Sequence, residues 1–230
     1  MEQRSLTLQE IKANEAIAAL IAAGNRYLEG CGFTDHGPRH VGYVSHTAAM
    51  LLRELGYSQR EIELAAIAGW THDVGNTVNR HDHGPNGAVM QLPILREAGM
   101  PLADVMEVIT AVGNHEEQSG FITSAVSAAL AIADKSDAHK TRVRYGKPDM
   151  NDIHDRVNFA IQKNRVTVDK EAGVILHELV MDETASVMEY IQIYQTRIVM
   201  CEQAAAFLGC SFHLVINGQR LNKPVTKTHE

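Results

Sequence analysis

His72 and Asp73 close an apolar, helix-prone run (Ala65-Ala66-Ile67-Ala68-Gly69-Trp70-Thr71), and Gly75 behind them lets the backbone turn. An imidazole and a carboxylate at the end of a core helix are costly to bury unless something pairs with both. A divalent metal ion suits the pair, because neutral imidazole and ionised carboxylate are standard ligands. Taken alone, the doublet is better read as a histidine capping a helix C-terminus beside a solvated aspartate. The wider pattern overturns that reading, since His40, His83, His115 and Asp134 also fall at or near expected helix ends. These six residues are too many for one tetrahedral zinc site. They are enough for two ions about 3.5–4 Å apart if one carboxylate bridges them. Asp73 is the natural bridge, because its neighbour His72 can bind one of the same ions.

The elements that must bring these residues together are helices. Apolar positions at helical spacing (Leu8, Ile11, Ala16, Leu20, Ile21) predict a helix over residues 8–28, ending near Gly30. Pro38 suits the first turn of a second helix, 38–55, which carries His40 and stops at Gly56. Ser58-Gln59-Arg60-Glu61 fits a capping box opening the helix that delivers His72 and Asp73. Residues 76–84 read as a polar loop, and 85–98 as a helix that Pro93 should kink or split. A helix over 101–113 delivers His115 and Glu116, and Thr123 or Ser124 caps an alanine-rich helix ending at Asp134 and Lys135.

From about Met150 the pattern changes. A short helix (153–161) precedes strands at 165–168 and 174–180, a long helix at 183–208, and a strand at 211–216 closed by Asn217-Gly218. The expected fold is therefore mainly α: a helical metal-binding domain over 1–148 and a small α+β appendage over 149–230. The appendage reads as a long helix on a short antiparallel sheet. Val187, Ile191, Tyr194 and Ile198 give the long helix an apolar stripe that could form a homodimer interface. Lys223 to Glu230 are expected to fray.

Composition narrows the function classes. A 230-residue chain with 45% hydrophobic residues can bury a substantial core. A net charge of −7 argues against an extended nucleic-acid surface. Cys31, Cys201 and Cys210 form no metal-binding spacing, and their odd number suits reduced thiols in a cytoplasmic protein. The first residues lack a signal peptide's apolar stretch, and no run is long enough to span a membrane. Histidine is the anomaly: seven of the twelve lie between Asp35 and Glu116.

The order H…HD…H…H…D resembles the HD-domain superfamily of metal-dependent phosphohydrolases, over roughly residues 30–145. That resemblance implies an all-helical domain in which His40, His72, Asp73 and Asp134 hold one ion. It assigns His83 and His115, with Asp73 bridging, to a second. His83 is preferred to His81 because His83-Gly84-Pro85-Asn86-Gly87-Ala88 is similar to a pattern of the HD-GYP branch. The chain departs from that branch in three ways. Asn76 stands where a lysine is usual, Asn114 precedes His115, and no Gly-Tyr-Pro follows Glu116. His36, four residues before His40, is an extra ligand or a supporting group.

The chemistry implied is hydrolysis of a nucleotide or other small phosphoester by water activated between two divalent ions, whether iron, manganese, zinc, cobalt or magnesium. Asp73 and Lys135 are the candidate catalytic residues. Lys135, Arg142, Arg144 and Asn76 are candidate substrate contacts, although Arg142 and Arg144 also read as a solvated stretch. Glu116 and Asp137 could orient ligand imidazoles. His46, His139, His154, His177 and His213 have no partner pattern and read as ordinary surface or capping residues. Two other functions use the same ligands: a di-iron oxygenase similar to myo-inositol oxygenase, and a non-catalytic metal-containing regulator.

Overall fold

Two closely packed helices bring in His40 and His72, and small residues set their distance. In the computed structural model, which describes residues 5–222, α3 (Pro38–Leu55) starts on its proline and ends where Gly56 takes φ +86°. Ser58 then opens α4 (Gln59–Thr71) with the expected capping box, its side chain accepting from the Glu61 N–H while the Glu61 carboxylate accepts from Ser58. Gly69 on α4 lies against α3: a Cβ there would sit 2.7 Å from the Ser45 backbone. The Ser45 hydroxyl donates to the Ala66 carbonyl at 2.7 Å, so the contact is both tight and polar.

The N-terminal helix expected over 8–28 is two helices, α1 (Leu8–Lys12) and α2 (Glu15–Gly30). Asn14 is the reason. Its side chain accepts from the Ile17 N–H at 3.1 Å, restarting the helix where a continuous one would have run through. Part of the polar loop expected over 76–84 is instead a buried 3₁₀ turn, Val74–Thr77. Next, α5 (His83–Glu97) runs through Pro93 without splitting, and α6 (Leu102–Gly113) follows. Ser124, rather than Thr123, caps α7 (Ala125–Lys135). Every residue of α7 from Val126 to Ala133 is buried, which marks it as the central helix of the bundle.

Beyond α8 (Ile153–Ala160) come β1 (Ile161–Asp169), β2 (Val174–Met181), α9 (Val187–Phe207), β3 (Ser211–Ile216) and β4 (Gln219–Arg220). They form one four-stranded sheet in the order β1-β2-β3-β4. The sheet is mixed, not antiparallel as expected: β1–β2 and β3–β4 are antiparallel, but β2 and β3 run parallel. The 21-residue α9 between them is the cause, because a long helical crossover returns the chain to the same end of the sheet. Val187, Ile191 and Ile198 of α9 pack against the chain's own core, and Tyr194 is buried in it. The cluster of buried residues runs without a break from Leu6 to Ile216. No helix among the described residues is long and apolar enough to cross a membrane. The fraying expected of Lys223 to Glu230 falls outside the described residues.

Gly69→Ala should lower stability by about 1–3 kcal/mol, the usual cost of overpacking a tight contact. Urea unfolding should show a lower midpoint with an unchanged slope.

Candidate metal centre

Helix ends converge on one buried space. His40 sits in the first turn of α3, His72 caps the C-terminus of α4, and Asp73 follows it. His83 is the first residue of α5, His115 follows the end of α6, and Asp134 lies in the last turn of α7. Gly75 permits the closest approach: a Cβ there would lie 1.9 Å from the His83 carbonyl oxygen. Any side chain would push α5, and His83 with it, away from Asp73. Four of these residues, His40, His72, His83 and His115, are at most 3% exposed.

Each imidazole is anchored from behind through Nδ1. His40 Nδ1 donates to Asp137 Oδ2 at 2.7 Å and His72 Nδ1 to the Gly69 carbonyl at 3.0 Å. His115 Nδ1 donates to the Val112 carbonyl at 2.6 Å, and His83 Nδ1 lies 2.8 Å from Glu116 Oε1. With their Nδ1 atoms committed, the rings turn their Nε2 atoms on one another, 3.2 Å apart for His40 and His72 and 3.0 Å for His83 and His115. Nitrogen lone pairs at such distances repel unless a proton or a metal ion lies between them.

The carboxylates complete the arrangement. Asp73 Oδ2 is 3.5 Å from Nε2 of both His40 and His72, while its Oδ1 is 3.2 Å from His83 Nε2. Asp134 Oδ1 faces the first pair as well, at 3.4 and 3.6 Å. Asp73 Oδ2 is fully buried without a hydrogen-bond partner, an expensive state for a carboxylate oxygen unless a cation meets it. Ligand atoms of His40, His72 and Asp134, and of His72, Asp73 and His115, lie within 4.8 Å of one another. The donor set therefore fits a divalent metal.

The protonation states agree. Burial by itself would raise the Asp73 and Asp134 carboxyls, but the neighbouring cations (His72 first for Asp73, Lys135 first for Asp134) hold both well below the usual carboxylate range. Burial, reinforced by the charge of His83, pushes His115 down to about 3, leaving a neutral nitrogen donor. Burial also opposes a charge on His83, yet hydrogen bonds to Asp73 and Glu116 outweigh it and push that ring up to about 9. Without metal, a proton on His83 supplies the positive charge the carboxylates demand. Metal binding displaces such protons.

The remaining candidates have varied placements. Asn76 is buried and turned toward Asp73, donating to its Oδ1 at 2.9 Å, so it braces the carboxylate. Lys135 is buried between Asp134 Oδ2 and Glu117 Oε2, 2.8 Å from each. Arg142 is buried, not solvated, with Nη1 3.0 Å from Asp137 Oδ2 and Nη2 3.0 Å from His36 Nε2. His36 donates Nδ1–H to the Thr34 carbonyl at 2.7 Å and lines the mouth of the centre. Arg144 is turned away, its guanidinium occupied by the carbonyls of Phe33, Asn25 and Thr34.

Several residues were not foreseen. Arg80 and Arg197 line the mouth beside His36 and Arg142, and these four also wall an adjoining cavity of about 190 Å³. The sequence signal for Arg80 was its position three residues before His83. For Arg197, on the partly polar side of a long helix, there was none. His154, expected to be ordinary, lines the same cavity. His177, likewise expected to be ordinary, is buried and bonded at 3.0 Å to Asn164 Oδ1, whose Nδ2 donates to the Ser136 carbonyl at 2.7 Å. That chain ties the sheet to the turn carrying Asp134 and Asp137.

Residues 39–139 match the HD domain family, and this stretch of the chain is an HD domain. HD domains are metal-dependent hydrolase domains, most of them phosphohydrolases. An uncharacterized protein of Methanocaldococcus jannaschii is 22% identical over 213 residues, covering 82% of this chain and 81% of that protein.

His177 also sets a pH dependence. Burial pushes its imidazole down to about 4, against roughly 6.5 in an unfolded chain. Between these values the unfolded state binds more protons, so stability falls as pH falls through that window. Urea midpoints measured from pH 7 to pH 4 should decline less steeply for His177→Gln than for the wild type.

Proposed function

We propose that this chain is a phosphohydrolase acting on a nucleotide or another small phosphoester through two divalent ions. The observation that carries the reading is the division of Asp73, one oxygen toward His40 and His72 and the other toward His83. His40, His72, Asp73 and Asp134 would hold one ion, and His83, His115 and Asp73 the other. When bound, such a pair of ions lowers the pKa of a water molecule and offsets the charge of a phosphoryl group.

The protein's own contribution is placement and charge. Asp137 and Glu116 keep Nδ1 protonated on His40 and His83, leaving each Nε2 lone pair for ligation. Lys135 holds the outer oxygen of Asp134, so that Oδ1 alone faces His40 and His72. Asn76 fixes the rotation of the Asp73 carboxylate. At the mouth, Arg80, Arg142 and Arg197 supply positive charge that suits an anionic, phosphorylated substrate. That cationic lining favours phosphoryl chemistry over dioxygen activation by the same ligand set.

Elemental analysis of the purified protein should find two ions in the wild type and close to none in Asp73→Ala. His83→Ala should chiefly weaken one of the two sites. Phosphate release from a panel of nucleotides and simple phosphoesters, with manganese or iron supplied, should be lost in Asp73→Ala. Full metal content and activity in that variant would remove the centre as drawn.

A further inference from the structure

The cavity beside the centre has a chemistry of its own. It shares His36, Arg80, Arg142 and Arg197 with the mouth, and Phe33 and Tyr194 add aromatic wall. Three guanidiniums border it against a single carboxylate, Asp152. The carboxylates behind those arginines do not cancel them. Asp137 is shared by Arg39, Arg142 and the His40 N–H, and Glu117 is shared by Lys135 and Arg197. Among the described residues, Arg80 has no carboxylate within ion-pair distance; its Nη1 lies beside the His83 ring, and its guanidinium is 5.8 Å from the Phe33 ring centroid. Arg142 is 7% exposed, and its Nε–H is buried without a hydrogen-bond partner.

A phosphoryl group at the centre cannot occupy this space too, so the cavity receives the rest of the substrate. Its cationic surplus calls for a negatively charged group there. Its volume of about 190 Å³ is small beside the roughly 300–1,000 Å³ of ligand pockets in general, which suits a compact remainder next to the phosphoryl group. Resting on the phosphohydrolase reading above, we propose that the substrate is a small phosphoester bearing a second anionic group, a carboxylate or another phosphate. Arg80, Arg142 and Arg197 receive that group in the cavity.

The test is calorimetric titration of the metal-loaded protein with propylphosphonate and with its two analogues whose far end carries a carboxylate or a second phosphonate. At least one analogue should bind at least about tenfold tighter than propylphosphonate, as expected for a charge-assisted guanidinium contact. Which analogue gains identifies the second group. The advantage, taken as a ratio within each protein, should shrink toward one in Arg80→Gln. Arg197→Gln is the second variant, should the first fail to keep its fold or its metal. Equal binding of all three ligands, or an advantage that survives both substitutions, overturns the proposal. Hydrolysis of phosphoesters without such a preference would sink the anion site and leave the phosphohydrolase reading intact. A preference without turnover of any phosphoester would do the reverse.

Discussion

Four imidazole nitrogens and two carboxylates are forced to face one another in a space from which water is largely excluded. The rings cannot turn away, because each Nδ1 proton is spent on an acceptor behind it: a carbonyl for His72 and His115, a carboxylate for His40 and His83. The carboxylates cannot turn away either, since Asn76 holds Asp73 and Lys135 holds Asp134. Left alone the arrangement is self-repelling, and only positive charge at its middle reconciles the parts. Much of the surrounding structure can be understood as the framework that keeps these groups from escaping.

That framework is made of helix ends, and the choice is physical. A helix terminus is where the backbone stops satisfying itself, so a side chain there can bond a free carbonyl and still project into a cavity. His72 with Gly69, and His115 with Val112, do this over a three-residue span. The buried body of α7 lets α3, α4, α6 and α9 pack around it, and its last turn brings Asp134 into the same space. Close backbone contacts at Gly69 and Gly75 set the tolerances, because neither position has room for a methyl group.

The ligand cluster was legible in the sequence because histidine and aspartate are conspicuous and the helix punctuation around them is strong. Gly56, the Ser58–Glu61 box and Ser124 marked the boundaries that place His40, His72 and Asp134. The arginines were legible only in part: Arg142 was named together with Arg144, and Arg80 and Arg197 were not named at all. Arg142 and Arg144 are two residues apart in one charged stretch, yet irregular 3₁₀ turns send the first into the site and the second onto the carbonyls of Phe33 and Asn25. No periodicity distinguishes them. The sheet was misjudged for a related reason. Strand alternation reports which face is buried and not the direction of pairing, which α9 decides. Asn14 was overlooked because a helix-prone stretch on each side hid a side chain that competes with the backbone.

The metal-binding pattern is complete by residue 134, but the cavity beside it is not. Its far wall comes from α8 and α9, which contribute Asn158 and Tyr194. Neither residue touches a ligand nitrogen or carboxylate of the centre. An inherited change at either position can reshape what the enclosure admits while every metal-facing atom keeps its place. Part of the cavity wall is thus written outside the stretch that carries the candidate ligands, so its shape can change while the ligand-facing residues stay the same.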